Sequence, residues 1–110
     1  MRRLSLAALA AFVPATALAA ALAPSAIVAN PSSYDGKTVT VTGKVANYQT
    51  SNTMIGTVAG YQVCDAKCVV VIDEKAGKQT NGASATVTGT FHATFKGPRK
   101  TYTNAVVISK

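Results

Sequence analysis

The chain has 110 residues, 48% of them hydrophobic, and a formal net charge of +7. That length allows one small domain. Four acidic residues, one histidine and two cysteines leave few groups for acid–base, metal or thiol chemistry.

Met1-Arg2-Arg3 is a basic head, residues 4–13 are apolar apart from Ser5, and Ala17-Leu18-Ala19 fits a signal-peptidase site. This pattern predicts a signal peptide over residues 1–19, cleaved after Ala19, with Ala21 and Ala23 as neighbouring alternatives. A membrane anchor is the weaker reading, because the stretch is alanine-rich, interrupted by Pro14 and followed by no basic stop. The arginine pair lacks a fuller twin-arginine context, and no cysteine follows that would mark a lipoprotein. The expected location is therefore periplasmic or secreted, with no membrane span after cleavage. Cleavage removes Arg2 and Arg3 and lowers the charge from +7 to +5, which favours anionic partners. In an exported chain the isolated pair Cys64 and Cys68 is expected to form a disulfide.

Residues 20–36 read as a short helix and a turn. Pro24 suits the first helical turn, and Asn30-Pro31 stops the helix, because a residue before proline disfavours helical geometry. Residues 32–37 read as a turn closed by Asp35-Gly36. A domain over residues 37–110 follows. Its first strand, from Lys37 to about Tyr48, contains Thr-Val-Thr-Val-Thr-Gly-Lys-Val, a strict alternation of wet and buried positions. Gly43 falls on the apolar side, where a glycine signals a bulge, a bend or a close backbone approach. Residues 49–55 read as a loop, and residues 56–64 as a second strand.

Asp65-Ala66-Lys67 reverses the chain into a third strand over residues 68–73. If Cys64 faces Cys68, then Val63 faces Val69 and Tyr61 faces Val71, which places these four apolar residues on the core face. Residues 74–82 read as weakly structured, with room for a helical turn. The fourth strand, residues 83–95, points Ala85, Val87, Gly89, Phe91, Ala93 and Phe95 inward. Its segment Ala85-Thr-Val-Thr-Gly89-Thr-Phe91 repeats the device of the first strand. Residues 96–100 form a basic hairpin loop. A fifth strand over residues 101–109 carries Tyr102, Val106 and Ile108 on one face.

A short helix, five strands and two glycine bends predict an all-β, five-stranded Greek-key OB-fold barrel with a short N-terminal helix. An immunoglobulin-like sandwich needs about seven strands, which this length does not supply.

The run Asn30-Pro31-x-x-Tyr34-Asp35-Gly36-Lys37-x-Val39-x-Val41-x-Gly43-x-Val45 resembles the start of small, secreted, stand-alone bacterial OB-fold proteins. Tyr61-Gln-Val63-Cys64-Asp65-x-x-Cys68-Val-x-Val71 is similar to their cysteine-bearing second hairpin. The resemblance spans residues 24–108 and implies the fold. It brings no catalytic residues, and OB-folds host many functions. The exported haem chaperone of cytochrome c maturation places a tyrosine four residues after its histidine, whereas His92 here is followed by Lys96. The bacterial stress-related OB-fold family lacks the cysteine hairpin.

His92 lies on the threonine face of its strand with no further ligands nearby in sequence, so no metal site is expected. Cys64 and Cys68 span a hairpin rather than a helix start, which argues against a redox pair. No nucleophile elbow, phosphate loop or paired carboxylates are present in the sequence, so neither an enzyme nor a cofactor is expected. The binding candidates are Lys96, Arg99 and Lys100 in the basic loop, with Tyr48 and Tyr102 at the flanking strand ends. Single-strand binders combine such basic grooves with exposed aromatics. The expectation is thus a monomeric, non-enzymatic binding module for an anionic oligomer or a protein partner. Docking of an envelope protein on a barrel edge and single-stranded nucleic-acid binding are the alternatives.

Overall fold

The computed structural model describes residues 20–97 and 99–110, and the expected signal segment lies outside the described residues. Two short helices, α1 (Pro24–Ala29) and α2 (Pro31–Tyr34), precede five strands. The strands are β1 (Thr38–Thr53), β2 (Gly56–Cys64), β3 (Cys68–Asp73), β4 (Ser84–Lys96) and β5 (Thr101–Ile108). They form one closed sheet in the order β1-β2-β3-β5-β4, with β4 returning to β1. Among the five strands the β3–β5 ladder is parallel and the other four ladders are antiparallel.

Closure rests on two long strands that each serve two partners. The first part of β1 pairs with β4, from Thr38↔Thr90 to Lys44↔Ser84, and the rest pairs with β2. Likewise β4 passes from β1 to β5 at Thr90, which is in register with both Thr38 and Val107. The glycines sit beside these exchanges. A Cβ on Gly43 would lie 2.7 Å from the Cys64 carbonyl oxygen, and one on Gly89 would lie 2.5 Å from the Val107 carbonyl oxygen. Both glycines therefore permit a close approach of backbone to backbone between neighbouring strands, β1 to β2 and β4 to β5.

The core holds Val39, Val41, Val45, Tyr61, Val63, Val69, Val71, Val87, Phe91 and Val106, joined by Ile27 of α1. The β2–β3 hairpin has the register expected from its cysteines, with Val63 facing Val69 and Tyr61 facing Val71. Cys64 and Cys68 are disulfide-bonded at its end. Proline opens α1, yet Ala23 at its N-cap offers no side-chain oxygen. Asp65, from the β2–β3 turn, supplies one instead. Its carboxylate accepts from the Ser25 backbone N–H at 3.0 Å and from the Ser25 hydroxyl at 2.7 Å. An acceptor at a helix start satisfies an otherwise orphaned N–H and favours the helix dipole.

Backbone beyond the ladders is covered locally. Leu22 pairs with Val41 on the side of β1 that β2 has not yet reached, donating to Thr40 and accepting from Thr42. The segment before β4 takes the other side of β1: Val45 donates to Ala83, Gly82 donates to Val45, and Tyr48 donates to the Asn81 side chain. The turn after α2 covers β4 through Gly36, Lys37 and Asp35, which bond the backbone of Phe91 and Ala93. Such pairing blunts edges that would template aggregation.

Four expectations need correction. Residues 31–34 form a helical turn, α2, where a simple turn was expected, because Pro31 presets helical geometry. Residues 49–53 are strand rather than loop. Cross-strand pairing from Gln49↔Gly60 to Thr53↔Gly56 overrides their polar composition, and both of their faces are wet. Residues 74–83 contain no helical turn and are held instead by bonds to Asp73 and to β1. In β5, Asn104 adopts a φ of 55°, so Ala105, Val106 and Val107 are all buried and the simple alternation fails.

Gly89→Ala should lower the unfolding free energy by about 1–3 kcal/mol, the usual cost of overpacking, in a urea titration. Replacing both cysteines with alanine should cost about 2 kcal/mol, as expected for closing so short a loop. The Ser25 hydroxyl, followed by the Lys67 backbone N–H, holds the Asp65 carboxyl below its ordinary value of 3.8. A depressed folded-state value stabilises the fold above the unfolded-state value, and that contribution fades as pH falls. The stability gap between the native protein and Asp65→Asn should therefore be constant from about pH 5 to 8 and shrink below about pH 4 in thermal melts.

Candidate functional site

The outer face of β2 and β3 is where the molecule is concave. Outward positions there are Val58, Gly60 and Gln62 on β2 and Val70 and Ile72 on β3, alternating with the core residues. Two hairpins rise beside this face. One is the β1–β2 tip, where residues 51–53 pair only with residues 56–58 and Met54-Ile55 forms the turn. The other is the β4–β5 hairpin, whose loop is closed by the Gly97 N–H donating to the Lys100 carbonyl at 2.8 Å.

Between them lies a cleft of about 910 Å³, lined by Met54, Ile55, Val58, Ile72, Phe95 and Tyr102 among others. A smaller groove of about 210 Å³ continues along the same face past Gln62 and Val70. Gln49, Gly60, Ile72, Lys100 and Tyr102 line both. Nothing lies within 4 Å of where a Gly60 Cβ would stand, so the floor is open there. Phe95 and Tyr102 face each other across the β4–β5 ladder. Phe95 shares the side of β4 that carries Phe91, and past the closed part of the sheet this side becomes the cleft wall.

The charge on the cleft is mostly positive. Arg99 and Lys100 line it, against Glu74 as the single acid. The Lys100 ammonium sits 5.3 Å from the centroid of the Tyr102 ring, a cation–π distance that holds the aromatic wall and the positive charge together. Lys110 approaches from the C-terminus and donates to the Ile55 carbonyl at 2.8 Å.

The structure thus brings Arg99, Lys100 and Tyr102 to one cleft and leaves two other candidates apart from it. Lys96 is exposed at the end of β4 but does not line the cleft. Tyr48 packs inward, 5.8 Å from the Tyr61 ring, and its hydroxyl donates to the Gly77 carbonyl at 3.3 Å. An αL residue at Asn47 and a shift in the β1–β2 register just before Gln49 give this inward turn. Its neighbour Tyr61 is buried beside Asp73, and burial, reinforced by that carboxylate, pushes the Tyr61 hydroxyl up from its ordinary value. The pair is interior structure at the end of the sheet.

Sequence reasoning missed Met54, Ile55, Val58, Ile72 and Phe95. One signal was available: Val69-Val70-Val71-Ile72 is apolar at every position, whereas a half-wet strand alternates. Among the described residues no group of His, Cys, Asp and Glu could hold a metal ion. His92 instead packs 5.4 Å from the Phe95 ring.

Comparison with known proteins gives no match among family models, curated proteins or solved structures.

Proposed function

We propose that the closed sheet is a Greek-key OB-fold barrel and that the chain is an exported, non-enzymatic binding module for an anionic oligomer. The observation that carries this reading is the position of the cleft. It lies on the β2–β3 face between the β1–β2 and β4–β5 loops, with Arg99 and Lys100 at its rim and Tyr102 in its wall. OB-folds bind oligonucleotides and oligosaccharides on that face and between those loops. The strand order, with β1 shared between β2 and β4 and a parallel β3–β5 contact, suits the same fold.

The chemistry fits a chain of repeated negative charges. Guanidinium and ammonium groups contact the charges, and an aromatic wall offers a stacking surface for a ring. The disulfide and the edge-covering segments suit a small domain exposed to an oxidising compartment. A single strand of nucleic acid is the simplest probe of this class. Edge docking has less to work with, since each strand has two partners in the closed sheet.

A labelled single-stranded oligonucleotide and a sulfated oligosaccharide should each bind at low salt and weaken as salt rises. For the oligonucleotide, Arg99→Ala with Lys100→Ala should flatten the logarithmic salt slope by about 0.7 per lost contact. Gly60→Phe should fill the cleft floor and abolish binding while leaving the melting temperature in place. Absence of binding to both polyanions at low salt would overturn the proposal.

A further inference from the structure

Among the described residues, the two large hydrophobic side chains that stand free of the fold occur side by side. Met54 is fully exposed and Ile55 is 57% exposed, at the turn of the β1–β2 hairpin. Core packing does not call for them, and the turn itself is held by other atoms. The Thr53 hydroxyl donates to the Gly56 carbonyl at 2.7 Å and accepts from the Ile55 N–H at 3.2 Å. Gly56, at a φ of 113°, allows the reversal. Neither bond uses the side chain of Met54 or Ile55, and what the turn presents is apolar.

This turn projects past the last residues that β3 pairs, so it is reachable by a flat surface. Positive charge stands beside it. The Lys110 side chain bonds the Ile55 carbonyl, and Arg99 and Lys100 line the cleft that Met54 and Ile55 also line. Three of the four acids are placed elsewhere: Asp65 braces α1, Asp35 bonds the Ala93 N–H, and Asp73 is buried.

We infer that the Met54-Ile55 turn is a membrane-docking tip, which inserts into the interface of an anionic bilayer while Lys110, Arg99 and Lys100 meet the headgroups. Apolar tips supply burial, basic neighbours supply attraction to anionic lipid, and reversible attachment needs both. No helix among the described residues is long and apolar enough to cross a membrane, so attachment of this kind is peripheral. A soluble acidic polypeptide is the competing occupant. Charge alone would hold it, and it would leave the full exposure of Met54 without a use. The tip shares Arg99 and Lys100 with the cleft, but its docking does not require the cleft to take a soluble oligomer.

The experiment is co-sedimentation of the protein with vesicles of phosphatidylcholine alone and of phosphatidylcholine with phosphatidylglycerol. Binding is expected only to the anionic vesicles, weakening as salt is raised. Met54→Ser with Ile55→Ser should reduce partitioning by at least about tenfold, with an unchanged melting temperature, because the apolar contribution is lost. Met54→Trp, with Ile55 retained, should restore partitioning or strengthen it and should show a blue-shifted emission on the anionic vesicles. Absence of binding at low salt would overturn the inference, as would serine variants that bind like the native protein. Binding of soluble polyglutamate in place of vesicles would assign the face to an acidic polypeptide. Oligonucleotide binding without vesicle binding would remove the tip inference and leave the cleft proposal standing.

Discussion

Two places where backbone touches backbone control this molecule. Gly43 lies against the Cys64 carbonyl and Gly89 against the Val107 carbonyl, each at a distance no side chain could occupy. A sheet of only five strands can close only if its longest strands bend sharply and change partner midway. The two glycines stand beside those changes. Closure gives the interior its size, so small β-branched residues fill most of it and two aromatics, Tyr61 and Phe91, provide the bulk. It also lets the two hairpins run on past the closed part of the sheet, and their overrun creates the cleft.

The helical segment contributes by closing what the strands leave open. Ile27 enters the core, and Asp65 reaches back from the β2–β3 turn to serve as the missing cap of α1. The disulfide fixes the base of the same turn. Two regions 40 residues apart in sequence are thus joined at one end of the sheet. Asp65 ties the start of the helix to the cystine end of the hairpin.

Much of the fold was legible because it follows from local chemistry. Alternation gave β1 and β4, the cysteine pair gave the register of the β2–β3 hairpin, and Pro24 with Asn30-Pro31 bounded α1. The repeated glycine motif signalled bends. The site was harder to see. Arg99, Lys100 and Tyr102 meet in one cleft, but Tyr48 turned inward through an αL residue at Asn47, a conformation that composition does not announce. The polar residues of the β1–β2 tip looked like a loop because neither face is buried, so no periodicity marks them. Phe95 lay on the inward side as its alternation required, yet the sheet no longer enclosed it there. Where an inward face outruns its cover, a core position becomes a binding surface.

The shared strand β1 also bears on the order in which the molecule assembles. Its pairing with β2 closes through a two-residue turn, whereas its pairing with β4 joins Thr38 to Thr90 across most of the domain. Contacts of long sequence separation form late, because the chain entropy of the intervening loop is spent first. Until β4 arrives, the alternating first half of β1 has a free side and an uncovered valine face. Leu22, upstream of β1, occupies the opposite side of that strand through its bonds to Thr40 and Thr42. The segment entering the fold thus occupies one side of this stretch and leaves the other for β4 to complete.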